Sequence, residues 1–368
     1  MPELKCKIYE KRSSVLTRRL TLPFVIAALI TPDSLLAAER HAPLPDALLG
    51  AGLRQILRSD KLKISVKLAG KDKIYIIHIG QIHENPPLVG KTTQESVEII
   101  SSWQKRIRNF TSFSFRVCKS PVFVEGVVFK KRLDAKFRER MNKLIKRVER
   151  LLKSKSFNKI NIDGLMQLFL FLDNLKHPDR YKVMELAYTT YEKLAISGDD
   201  KIIDLLLYLN DKLASRYTAG KVYYSAMGLF WSGKIDIYGA EDIDLNIEAM
   251  DALKDYTLFK EGRDELMDRI RQTDIKSSLL ENILKQKGYS RAKLLKYKAR
   301  FDRLVITERE NELYMRIQAY FKSPYVKKHG KPRCVPVVYG VGHNFSNTLK
   351  KWNKSHQLKF GVIKVSPK

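Results

Sequence analysis

The stretch CVPVVYGVGH, residues 334–343, is an apolar run that ends in a glycine turn carrying a histidine. Val335, Val337 and Val338 leave no polar alternation, so the run reads as a strand buried on both faces, as in a sheet covered by helices. Three more runs share the form: KIYIIHIG (73–80), PVFVEG (121–126) and KIDIYGAED (234–242), each reaching a glycine within a few residues. The intervening sequence has helical spacing. It is clearest from about Lys130 to Lys155, where Leu133, Phe137, Met141, Leu144, Ile145, Val148, Leu151 and Leu152 recur every three or four residues. Strands alternating with helices predict an α/β fold, a central mixed sheet flanked by helices. The spacing places a large helical insertion at about 129–230 and more helix at 245–305. No repeat or low-complexity linker divides the chain, so residues 39–368 are read as one domain.

The chain has 368 residues, 44% of them hydrophobic, enough for a substantial core. Lys and Arg number 69 against 40 Asp and Glu, a formal charge of +29, which favours anionic partners. From Lys130 to Lys159 there are thirteen Lys or Arg and three acidic residues against a continuous apolar face, which reads as the solvated side of a core-packed helix or, functionally, as a contact for an anionic surface. No zinc-finger or ribonucleoprotein motif accompanies the charge, so specific nucleic-acid recognition is not expected. Residues 1–38 have the order of an export signal: basic residues including Arg18 and Arg19, an apolar stretch from Leu20 to Ile30, then Ala37 and Ala38. That order predicts a periplasmic or secreted protein if the leader is cleaved, and a membrane-associated or cytoplasmic one otherwise. Of the three cysteines, Cys6 would leave with the leader, and Cys118 and Cys334 would remain as one disulfide or two buried thiols.

The strand ends carry the chemistry. The first run leads to Gly80-Gln81-Ile82-His83, the second to Glu125-Gly126, the third to Gly239-Ala240-Glu241-Asp242 and the fourth to Gly340-Val341-Gly342-His343. Ligands of open α/β sheets bind beyond the carboxyl ends of the strands, so these groups are expected to face one cleft. Glu241 and Asp242 have a second reading as caps of the following helix, and His78, inside its strand, reads as a core histidine. In VITEREN (305–311), Thr307 and Glu310 have capping-box spacing. Glu308 and Arg309 would then sit in a first helical turn, where the dipole favours a carboxylate. Glu308 could fix a histidine or a metal, and Arg309 could grip a substrate carbonyl or carboxylate with its planar fork.

Such a set supports hydrolysis in two ways. His83, Glu125 and His343 could ligate a divalent ion and leave a position for water, whose pKa falls toward about 7 in favourable zinc sites. Without metal, His83 could act as general base with Glu125 orienting it, while His343 or Arg309 steadies the oxyanion. A serine nucleophile is disfavoured because the G-x-S-x-G elbow is missing, as is the H-E-x-x-H spacing of helical zinc proteases.

The two G-x-x-H turns, the glutamate after an intervening strand, and the helix start ERENELYM (308–315) before the last turn resemble the TraB/Tiki superfamily, which includes erythromycin-esterase-like and ChaN-like haem-uptake proteins. The resemblance runs from His83 to about Asn347. It implies a hydrolase acting on a peptide or ester bond, with His83, Glu125, His343, Glu308 and Arg309 at the motif positions and a divalent metal (Mn, Co or Zn) as cofactor. The ChaN-like branch implies the alternative of non-catalytic haem or metal binding. Glu310 stands where many relatives have aspartate, and Gln81 where a small hydroxyl residue is common.

Overall fold

Strand residues alternate between two covers. Ile77 and Ile79 of one strand pack with Val122, Val124 and Val338 on one face. Their neighbour Ile76 packs with Phe123, Val335 and Val337 on the other, as the two-residue strand period requires. The computed structural model describes residues 51–68, 73–81, 92–154, 157, 160–197, 199–215, 225–271 and 277–368. The leader expected at 1–38 and His83 lie outside the described residues. The strands are β1 (Leu62–Lys67), β2 (Ile74–Gln81), β3 (Val122–Val124), β4 (Ile237–Gly239), β5 (Cys334–Gly340) and β6 (Phe360–Pro367). They form one sheet in the order β1-β6-β2-β5-β3-β4. All neighbours are parallel except β1, which runs antiparallel to β6 at the edge. The mixed α/β sheet read from the sequence is therefore present.

On the first face lie α1 (Ala51–Ser59) and α2 (Thr93–Cys118), α2 contributing Ile107 and Phe110 to the core. Thr92 and Glu95 form a reciprocal capping box at the start of α2. The insertion follows β3 as α3 (Ala135–Leu152), α4 (Ile162–Asn174), α5 (Arg180–Tyr191), α6 (Asp200–Ser215) and α7 (Ser225–Trp231). α3 starts at its Asp134 cap, later than the spacing predicted, because the Asp134 carboxylate accepts the Phe137 N–H at 3.1 Å. Met141, Ile145, Val148 and Leu152 of α3 join Phe169, Leu172, Met184 and Leu209 in a core belonging to the insertion itself.

After β4 the chain builds a helical arm of α8 (Ile243–Arg271), α9 (Ser277–Gln286) and α10 (Arg291–Phe301). At about 1.5 Å per residue, α8 is roughly 43 Å long. Its first half packs Met250 and Leu253 on Leu304 and Val305. Farther along, Phe259 meets Tyr289 and Tyr297 with ring centroids 5.2 and 5.0 Å apart. A π-helical turn, Asp302–Glu308, then joins α10 to α11 (Arg309–Phe321). α12 (Pro324–His329) precedes β5, and α13 (Ser346–Ser355) follows it. Leu313 and Ile317 of α11 and Leu349 and Trp352 of α13 cover the second face.

At the amino end of the sheet, Cys118 of α2 and Cys334 of β5 form a disulfide, 216 residues apart in sequence, with Cα atoms 5.0 Å apart. Of the two readings left open by the sequence, the disulfide is the one the fold adopts. Among the described residues no helix is long and apolar enough to cross a membrane.

Candidate functional site

β2 and β5 are neighbours, with Gln81 paired to Gly340 at their carboxyl ends. The chain leaves β2 for α2 on one face and leaves β5 for α13 on the other. Their ends therefore open a crevice of the kind in which α/β sheets bind ligands. β3 and β4 end beside it, with Val124 paired to both Val338 and Gly239.

Two buried polar clusters meet there. In the first, the Nη2 of Arg309 donates to Glu125 at 2.7 Å and to Glu241. Glu125 also accepts the Gly340 N–H, and Glu241 accepts Asn246 Nδ2 and, at 3.0 Å, the hydroxyl of Tyr339. Burial works against the charge of Arg309, but Glu241, Tyr339 and Glu125 outweigh it and raise its pKa, so the guanidinium stays charged. Burial, with Glu241 next, raises the Tyr339 phenol well above its usual range, so it is a proton donor here.

In the second cluster, His343 Nδ1 lies 3.0 Å from Glu310 Oε1. Glu310 also accepts Thr348 Oγ1 and, at 3.4 Å, the Phe345 N–H. Because Thr348 donates to Glu310, Tyr314 must donate its hydroxyl to Thr348, at 2.8 Å. A carboxylate surrounded by donors accepts the Nδ1 proton of His343, and that tautomer leaves the Nε2 lone pair available. Nε2 has no hydrogen-bond partner among the described residues. The imidazole is wedged by Tyr339 and Phe345, with ring centroids 4.6 and 5.9 Å away.

The turn that carries His343 is held from below. His78 Nε2 approaches the carbonyls of Tyr339 and Gly340 at 3.3 and 3.2 Å. Lys364 Nζ donates to those of Val341 and His343 at 2.6 and 3.0 Å. Burial first, then the Lys364 ammonium and the neighbouring His343 ring, lower the His78 pKa to about 3. The core histidine read from the strand pattern is thus a neutral donor to the turn.

Of the residues singled out from sequence, Glu125, Arg309 and His343 come together around this crevice. Glu308 does not: its side chain is 42% exposed and faces Arg303 at 3.5 Å. The expected capping box at Thr307 is also corrected, because the helix continues through this point as a π turn and Thr307 donates to the Asp302 carbonyl at 3.1 Å. The carboxylate that fixes the histidine is Glu310, which the capping-box spacing had assigned elsewhere. Asp242 caps α8 through the Asp244 N–H at 3.1 Å, while its neighbour Glu241 enters the cluster.

Of the expected metal set, Glu125 and His343 are described, and His83 lies outside the described residues. Among the described residues alone, no group of three imidazole, thiol or carboxylate side chains is placed to share an ion. The oxygens of Glu125 face Arg309 and the Gly340 N–H, so an ion there would have to displace a guanidinium. No family model, curated protein or solved structure matches the chain.

Proposed function

We propose that this chain is a hydrolase of the TraB/Tiki type, acting on a peptide or ester bond with His343 as general base. The observation that carries the reading is the buried His343–Glu310 pair, which orients the imidazole and leaves Nε2 without a partner among the described residues. A base held by a carboxylate through its other nitrogen is the arrangement that proton abstraction requires. In this mechanism Nε2 takes a proton from water as the oxygen attacks the carbonyl carbon. The proton then passes to the leaving group as the tetrahedral intermediate collapses. Arg309, whose Nε and Nη1 have no partner among the described residues, supplies donors for the oxyanion. His343 is only 2% exposed, so catalysis includes an opening step that admits water and substrate. The disulfide supports an oxidising compartment, consistent with the exported location proposed from the leader.

The test is turnover on a panel of activated esters and peptide amides by the wild type, His343→Asn and Glu310→Gln. His343→Asn should lower kcat/KM about 100- to 10,000-fold, the range for a general base. Glu310→Gln should lower it less and displace the acidic limb of the pH profile, the limb that a general base sets. A folded wild type inert across the panel, or a His343→Asn variant with full activity, rejects the hydrolase. Haem binding that disappears in His343→Asn would support the non-catalytic alternative instead.

A further inference from the structure

We propose that the outward face of α3 docks this protein on an anionic lipid surface. The inward side of the helix, Met141, Ile145, Val148 and Leu152, is consumed by the core of the insertion. On the outward side, Lys136, Arg140, Lys143, Arg147 and Arg150 succeed one another at alternating intervals of four and three residues. That spacing keeps them on one stripe, along a helix of 18 residues, or roughly 27 Å. Lys146 is exposed beside them.

Few carboxylates answer these charges. Glu139 is tied to Lys143 at 2.6 Å, and Glu149 turns to Lys182 at 2.9 Å. Arg140, Lys146 and Arg147 have no ion-pair partner among the described residues. α10 provides the contrast. It is equally basic, but Arg300 pairs with Asp255 of α8 at 2.6 Å and Lys298 with Asp302 at 2.5 Å. The charge of α10 is thus partly spent within the arm, and that of α3 faces outward.

A lipid surface fits the stripe for two reasons. A straight row of cations meets a planar array of headgroups along its whole length. In addition Leu144, 42% exposed, sits between Arg140 and Arg147, where an apolar side chain can enter the boundary between headgroups and acyl chains. Each cation near an anionic leaflet contributes about 1 kcal/mol. The contact is electrostatic, because the apolar side of the helix is already packed.

The experiment is co-sedimentation of the folded chain with vesicles of phosphatidylcholine alone or with about a third phosphatidylglycerol, at low and high salt. Wild type should bind the anionic vesicles only, and high salt should release it. The variant Arg140→Gln/Lys146→Gln/Arg147→Gln should bind on the order of 100-fold more weakly. The control Arg291→Gln/Lys293→Gln/Lys296→Gln, on α10, removes the same charge and should bind as wild type does. All six positions are exposed and Gln is a good helix former, so both variants should keep the wild-type melting temperature. The proposal is overturned if wild type ignores anionic vesicles, if the α3 variant binds unchanged, or if both variants weaken equally. It is also overturned if wild type prefers a DNA duplex to the vesicles and the α3 substitutions abolish that binding.

Discussion

Glu308 and Glu310 are two residues apart and have opposite surroundings. Glu308 meets solvent and Arg303, whereas Glu310 is enclosed by His343, Thr348 and Phe345. Only the three-dimensional path of the helix separates them, and the sequence around Thr307 favoured the wrong one. Tyr339 was equally hidden, since inside CVPVVYG it reads as one more apolar strand residue. Its hydroxyl nevertheless reaches Glu241. What could be read was the strand-end glycine turn, because Gly126, in the left-handed region at φ +79°, lets the chain turn directly after Glu125. Arg309 yields the sharpest prediction at this scale. Arg309→Leu leaves Glu125 and Glu241 buried together without their cation, and should cost about 3–5 kcal/mol in urea unfolding. Adding Glu125→Gln and Glu241→Gln should return part of that stability, whereas no recovery would mean that the guanidinium matters chiefly for its packing.

Among elements, those with strong periodicity were legible. The four apolar runs became β2 to β5, and the helical insertion occupies the expected part of the chain. β1 and β6 were missed although LKISVK alternates and FGVI is an apolar run, because neither reaches a glycine turn like the four runs that were read. Their pairing, Leu62 with Pro367 through Lys67 with Val362, joins distant parts of the chain, and β6 is held on its other side by β2. β4 is shorter than its sequence run, since the preceding residues serve the start of the insertion: Arg138 Nη1 donates to the Ile235 carbonyl at 3.1 Å, and Arg132 Nε donates to Asp236 at 3.0 Å. A Cβ at Gly239 would lie 2.5 Å from the carbonyl oxygens of Val127 and Phe129. Gly239→Ala should therefore cost about 1–3 kcal/mol as an overpacked contact. Because Glu241 is two residues away, the same variant should also lower any activity the site has. Wild-type stability in a denaturant titration of Gly239→Ala would show that the 127–129 segment gives way easily.

For the whole molecule, two kinds of constraint act on opposite ends of the sheet. The disulfide fastens the amino end of β5, and buried polar groups fasten its carboxyl end. The second kind depends on pH. His78 is neutral when folded, with a pKa near 3, but titrates near 6.5 when unfolded. Between those values the unfolded chain binds more protons, so stability rises with pH across the window and is lost on acidification from about 6.5 toward 3. His78→Gln should flatten that slope when unfolding free energy is measured from pH 7 to pH 4, and an unchanged slope would assign it to other groups. The π turn at Asp302–Glu308 has a consequence for the molecule's design. It acts as a coupling between two rods, because a π turn holds more residues than an α turn of the same span. Deleting one residue there would let the segment close as an ordinary α turn over about the same span, so α10 and α11 would keep their mutual orientation. The chain can thus lose one codon at this point while the ion pairs at the crevice remain seated.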